Sequence, residues 1–391
     1  MFAFAVALAA APLVISVYAY AVYPCLLWAI GRRRDVAVTR PSSETWPTVT
    51  ITVPVYNAES SIRTTLTHLL QIDYPRDRIQ VVVLSDASTD GTDDAVREFA
   101  ARGVELLRAP VRQGKTAAEN AAVALAHGEI IVNVDATISV PPSSLRPLVR
   151  AFDDPTVGVA SGYDVSVGGR DFAATKGESG YTGYEMWVRD LETQVGSIIG
   201  ASGCFYGIRR SIRTSALPPG LSWDFASTLV ARQQGYRSVS VPAAVCFVPR
   251  AVDVQVELKR KSRTMARGLS TLFHFGSLMN PFRYGAFALM LLSHKMLRWL
   301  PFLLTPVAIL ALGVLATQNN LAAILLAAVA LGVVIGVSGI VYRRATVFKP
   351  VALAGFVVAS TSAGFLAWCD AIRGARMVIW EPTPRPSIST G

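Results

Sequence analysis

Asp135 stands directly after the β-branched run Ile130-Ile131-Val132-Asn133-Val134, which is bounded by His127-Gly128 before it and by Pro141-Pro142 after it. That composition predicts a parallel strand buried on both faces. A carboxylate at the carboxyl end of such a strand can hold a divalent cation, and the cation can hold a diphosphate. Two earlier apolar runs end in the same polar manner. Residues 48–53 lead into Pro54-Val55-Tyr56-Asn57, and residues 80–84 lead into Ser85-Asp86-Ala87-Ser88-Thr89-Asp90-Gly91-Thr92. Ligands of open α/β sheets bind outside the carboxyl ends of the strands, so three polar endings in succession on one edge predict a nucleotide site. Taken singly, Asp86 or Asp135 could equally be a turn residue.

The segments between these runs read as the elements that would position them. Residues 60–71 and 93–102 are helical in pattern, 104–107 is a short strand, and Gln113-Gly114-Lys115 opens an Ala-rich helix over 116–126. A β-α-β-α-β order of this kind predicts a parallel sheet with right-handed crossovers. The fold class expected is α/β, with a soluble domain over 45–250.

The ends of the chain have a different composition. Of 391 residues 52% are hydrophobic and only 16% charged, and the mean hydropathy is +0.40. Residues 2–30 carry no charge and are followed by Gly31-Arg32-Arg33-Arg34. A signal peptide would open with basic residues and have a shorter apolar core. The reading is therefore a membrane helix over 1–31, with its basic end in the cytoplasm. Residues 251–298 read as basic interface helices, suited to anionic lipid. Residues 299–371 read as a membrane region: two spans divided at Gln318-Asn319-Asn320, then a further candidate over 350–369 after Arg343-Arg344. Single crossings put the 372–391 tail outside, whereas its arginines favour the cytoplasm, and a re-entrant last segment is the third option. The net charge of +10 is assigned to lipid contact and not to nucleic acid. Cys25, Cys204, Cys246 and Cys369 show no metal-ligand spacing and are expected to be reduced thiols.

These motifs together resemble the family 2 glycosyltransferases, whose fold is the Rossmann-like GT-A fold. The resemblance rests on Pro54-Val55-Tyr56-Asn57-Ala58-Glu59, on the ungapped Asp86 to Thr92, and on Gly114-Lys115 before a helix containing Asn120; it extends roughly from Tyr18 to Arg385. It implies a nucleotide-sugar site formed by Pro54, Tyr56, Glu59, Asp86, Lys115 and Asp135, with a uridine diphosphate sugar as the expected donor. It also implies Mg²⁺ or Mn²⁺ on Asp135. The family's usual D-x-D is here Asp135-Ala136-Thr137, as in exopolysaccharide-type members, so a single carboxylate is left for the metal. Gly203, within Gly200-Ala201-Ser202-Gly203-Cys204, and the aromatics Tyr184 and Trp187 resemble the acceptor side of those members; the two aromatics read equally well as core.

Ser222-Trp223-Asp224-Phe225 occupies the place of the family's T-E-D motif, which makes Asp224 the expected general base. A sugar hydroxyl attacks poorly until a positioned carboxylate takes its proton. A helix-capping Asp is the competing reading. The Q-x-x-R-W of processive synthases is replaced by Lys261-Ser262-Arg263-Thr264-Met265. The expectation is a multi-pass inner-membrane enzyme that transfers sugar, with inversion, to a lipid-linked or glycan acceptor at the cytoplasmic face. The alternatives are a processive synthase or a catalytically weak scaffold subunit. A transporter is disfavoured, because the 299–342 pair carries no charge.

Overall fold

The computed structural model describes residues 1–32, 45–167, 173–249, 254–342, 348–374 and 378–379, with the side chains of 173–179, 254–259 and 349 set aside. Arg33, Arg34, Lys259, Arg343, Arg344 and the 380–391 end of the tail therefore lie outside the described residues or side chains.

Seven strands form one sheet: β1 (Val49–Val55), β2 (Ile79–Ser85), β3 (Val104–Arg108), β4 (Ile130–Val134), β5 (Val157–Val167), β6 (Phe205–Arg209) and β7 (Arg237–Pro249). Their order is β3-β2-β1-β4-β6-β5-β7. The first four strands are mutually parallel, as the βα alternation dictates. Every residue of β1 and β4 is buried, because helices cover both faces. Alternate residues divide between the layers. Val81 and Val83 pack with Ile62 and Leu66 of the helix Glu59–Leu69, whereas Val82 and Leu84 pack with Ala118 and Ala122 of the helix Lys115–Leu125. Pro54 lies beyond the β4 pairing, which runs only from Val49 to Thr52, so its missing N–H breaks no ladder bond there.

Past β4 the sheet becomes mixed. β6 runs antiparallel to β4 and β5 antiparallel to β6, while β7 pairs parallel with β5. The reversal places the start of β6 opposite the end of β4, so the Asp135 amide donates to the Cys204 carbonyl at 3.0 Å.

Among the described residues four helices are long and apolar enough to cross a membrane: Phe2–Gly31, Ala286–Ala316, Asn320–Val341 and Pro350–Ile372. The second begins well before the expected boundary at residue 299 and takes in His294, Lys295 and Arg298. Charge is tolerated there because most of it is paired. The helix Ala173–Val195 of the sheet domain presents Glu185 and Glu192 to it. Glu185 bonds His294 Nε2 at 3.2 Å and also Arg298, while Glu192 Oε1 bonds His294 Nδ1 at 2.5 Å and accepts from the Tyr23 hydroxyl at 2.7 Å. The junction is thus an ion-paired plug joining the first two apolar helices to the sheet domain.

Glu192 carries much of that plug. Burial alone would raise its carboxyl pKa, but His294, the Tyr23 hydroxyl and the Ile199 amide outweigh burial and hold it below the ordinary value of 4.5. Its contribution is therefore complete above 4.5 and is lost as pH falls below that value. Glu192→Ala strands the buried His294 and Tyr23, and removing one partner of a buried pair costs about 3–5 kcal/mol. Thermal unfolding in detergent at pH 7 should show that loss, and the gap between wild type and variant should narrow at pH 4.

Candidate active site

The carboxyl ends of β1 and β2 are tied into one rim. Asn57 Oδ1 accepts from Thr89 N at 2.8 Å, Ala58 N donates to Thr92 Oγ1 at 2.8 Å, and Glu59 N donates to Asp90 Oδ2 at 3.2 Å. The Glu59 carboxylate accepts from Gly91 N at 3.1 Å. Glu59, expected at the nucleotide sugar, also staples the two loops together. Asn57 (φ 48°) and Ala87 (φ 56°) both occupy the left-handed region. For Ala87 that conformation costs about 1 kcal/mol or more, and it falls directly after Asp86.

Asp86 is buried, and its two carboxylate oxygens accept from Gln113 N at 2.7 Å and Gly114 N at 2.8 Å. The 112–114 loop is thereby drawn over the strand ends. Arg112 lays its guanidinium 3.6 Å from the centroid of the Tyr56 ring, which gives a flat, cationic wall of the size of a nucleobase. Arg112 was not among the residues singled out from the sequence; its adjacency to Gln113-Gly114-Lys115 was the available signal. Gly114 has φ 89° and the carbonyl of Val378 would lie 2.1 Å from a Cβ there, so only glycine fits.

Lys115 opens the helix that follows. Its ammonium pairs with Asp135 Oδ1 at 2.6 Å, donates to the Gly203 carbonyl at 3.3 Å, and lies 4.0 Å from Glu119. Burial would lower the Lys115 pKa, but the Asp135 and Glu119 carboxylates outweigh it and hold the ammonium above its ordinary value. Burial pushes Glu119 upward, with Lys115 and Arg213 acting the other way.

The same helix fixes Asp224 at one remove. Thr116 Oγ1 donates to Leu221 O at 2.6 Å, and Asn120 Oδ1 accepts from Trp223 Nε1 at 2.8 Å. Trp223, which stands where the resemblance calls for an acid, is therefore a buried anchor for its neighbour. Asp224 lies in the first turn of the helix Trp223–Gln233, where its backbone carbonyl accepts from Ala201 N at 3.2 Å and its side chain takes the Ser222 hydroxyl. Its Oδ2 would lie 3.0 Å from a Cβ on Gly203. Asp135, Lys115, Gly203 and Asp224 thus converge, although they are scattered over more than a hundred residues of sequence. The Ser202 hydroxyl holds the glycine-rich turn by donating to Asp164 Oδ1 at 2.6 Å while accepting from Cys204 N at 3.1 Å.

Tyr184 and Trp187, expected on the acceptor side, face the first apolar helix. Tyr184 donates to the Tyr20 carbonyl at 2.9 Å and stacks with Tyr20, Tyr181 and Trp187 beside Arg298. Their contacts run to the first apolar helix and not to Lys115, Asp135 or Asp224. Arg267 of the helix Val254–His274 turns into the domain, donating to Thr116 Oγ1 at 2.7 Å. All four cysteines are free. Lys295 reaches toward Gly200, between the rings of Phe225 and Trp299. Each ring face attracts a cation by about 0.5–2 kcal/mol, which is less than the several kcal/mol needed to take an ammonium out of water.

Among the described residues no three His, Cys, Asp or Glu groups gather as a metal cluster. The hard oxygens of the partly exposed Asp135 carboxylate still suit Mg²⁺ or Mn²⁺, with phosphate and water as the natural remaining ligands.

The sequence model named Glycosyl transferase family 2 matches residues 50–214. Those residues are a family 2 glycosyltransferase domain. The glycosyltransferase domain and its apolar helices are together similar to a mannosyltransferase of Pyrobaculum calidifontis solved with GDP-Man and Mn²⁺: TM-score 0.71, 25% identity, covering 96% of this chain and 99% of that one. An N-acetylglucosaminyltransferase of Mesorhizobium japonicum is 26% identical over 52% of each chain. A beta-monoglucosyldiacylglycerol synthase of Nostoc sp. is 28% identical over 46% of this chain and 38% of that one. The chain spans about half or less of the length of these curated relatives. The match ends before Asp224, so that residue joins the site by the geometry described above.

Proposed function

We propose that this chain is an inverting glycosyltransferase of the membrane surface. It would transfer a sugar from a nucleotide diphosphate donor to a membrane-held glycan or polyprenyl-linked acceptor in cell-surface polysaccharide synthesis. The observation that carries the proposal is the convergence of Lys115–Asp135 with Asp224 across Gly203. One pair is suited to a diphosphate, and the carboxylate facing it is suited to an acceptor hydroxyl. Tyr56, Arg112 and Asp86 with its loop would hold the base; uridine is the base implied by the resemblance, and the similar mannosyltransferase holds a guanosine donor. Lys115 would neutralise charge on the diphosphate as it leaves. Asp135 would hold a divalent ion whose chemistry is to offset the same charge. Asp224 would take the proton of the hydroxyl that attacks the anomeric carbon from the opposite face.

Nucleotide sugars are made in the cytoplasm, so the domain is assigned to the cytoplasmic side of the inner membrane. The test is nucleotide release by the purified, membrane-reconstituted chain across UDP- and GDP-sugars, with and without extracted lipid acceptors. Acceptor-stimulated release from one donor is expected. Tight nucleotide binding with no release from any donor would favour a scaffold subunit instead.

A further inference from the structure

Lys295 is a cation without an anion. Among the described residues it has no carboxylate within ion-pair distance and donates no hydrogen bond, because Glu185 is committed to Arg298 and His294, and Glu192 to His294 and Tyr23. Its ammonium lies 3.5 Å from the point at which a side chain on Gly200 would begin. A second cation comes to the same turn. Arg189 donates to the Ala201 carbonyl at 3.2 Å and to Ser161 Oγ at 3.5 Å, and it too lacks a carboxylate among the described residues. Glu185 and Glu192 attract Lys295 only from beyond ion-pair distance, and with the ring faces of Phe225 and Trp299 they do not offset its desolvation and the neighbouring Arg189 and Arg298 charges, so the turn has an unmet demand for negative charge.

The position says where that charge would come from. Lys295 lies within the apolar helix Ala286–Ala316, in its π-helical turn Leu292–Met296. The first apolar helix has its own π turn, Tyr18–Val22, and the two turns touch through Tyr18 Oη and Ser293 Oγ at 3.0 Å. Such turns within α-helices concentrate at functional sites. On the other side of Gly200-Ala201, the Ala201 amide is bonded to the backbone of Asp224. The Gly200-Ala201 turn thus lies between the membrane helices on one side and the backbone of Asp224 on the other.

We propose that Lys295 and Arg189 bind the phosphate of a lipid-linked acceptor, entering from the bilayer, and leave the acceptor hydroxyl to Asp224. This rests on the glycosyl-transfer reading and adds to it that the acceptor is anionic. The full chain in nanodiscs of neutral phosphatidylcholine should bind polyprenyl diphosphate at least about tenfold more tightly than polyprenol. Lys295→Gln should remove most of that difference, and Lys295→Arg should retain it. Equal affinity for the diphosphate and the alcohol overturns the proposal, as does a Lys295→Gln variant that still discriminates. Displacement by an equal fraction of phosphatidylglycerol also overturns it, since that marks a general anionic-lipid contact. UDP and GDP titrations in the same discs report on the donor site separately. Loss of nucleotide binding with phosphate discrimination intact would sink the transferase reading and not the anion site.

Discussion

Asp224→Asn is expected to lower glycosyl transfer by about 10²- to 10⁴-fold, the usual worth of a positioned general base. The amide keeps the shape and one acceptor oxygen, so the bond from the Ser222 hydroxyl and the helix start survive. What is lost is the ability to take a proton. Nucleotide affinity should change little, because Tyr56, Arg112 and Asp86 hold their geometry through contacts that do not involve Asp224. Asp86→Ala should show the reverse. Removing its carboxylate leaves the Gln113 and Gly114 amides unpaired and frees the loop over Tyr56, so nucleotide binding weakens first. Comparing kcat with donor affinity for the two variants separates chemistry from binding. If Asp224→Asn transfers at the wild-type rate, Asp224 is not the base.

Asp135→Ala should abolish turnover and also lower stability. It leaves the Lys115 ammonium, only 18% exposed, without its closest partner. The cost is expected near or below the lower end of the roughly 3–5 kcal/mol seen for broken buried pairs, because both side chains retain some solvent. It also removes the one carboxylate suited to a cation at the diphosphate. Chelator should silence the wild type, and added Mn²⁺ should tighten nucleotide binding to the wild type but not to the variant. Thr137→Asp should be tolerated or should strengthen the Mn²⁺ effect. Full activity in excess chelator would show that Lys115 alone serves the diphosphate.

The parallel half of the domain was legible because its signals are local. Each strand is a short apolar run closed by a polar residue, and each crossover carries helical periodicity, as in residues 49–57 and 79–92. The antiparallel half was not legible. Nothing in the composition of Phe205–Arg209 says that it inserts beside β4, yet that register alone brings Gly203 to Asp135. The hydrogen bonds that Glu59 and Trp223 make were not legible for a related reason. Motif position says which residues lie near a site, whereas hydrogen bonds decide which of them are free to touch a ligand. Lys295 read as an interface residue because the commitments of the nearby carboxylates, Glu185 to Arg298 and Glu192 to His294, depend on a second helix distant in sequence.

The contact between Gly114 and the Val378 carbonyl sets a parity rule for the membrane. The chain leaves the sheet domain before Ala286 and is back against it at Val378, so it must cross the bilayer an even number of times in between. Among the described residues three apolar helices lie in that interval; at most two of them would therefore cross. Lys349–Ile372 is the helix laid along the basic helix Val254–His274, with Lys261 over the Phe356 ring, Ser262 Oγ on Ala363 O and Phe273 against Trp368. Its two ends should share the side of the sheet domain. Single cysteines at Gln318, Phe348 and Arg373 distinguish the cases: an impermeant thiol reagent applied outside intact cells should label only the first. External labelling at Arg373 would break the rule and with it the docking of the tail.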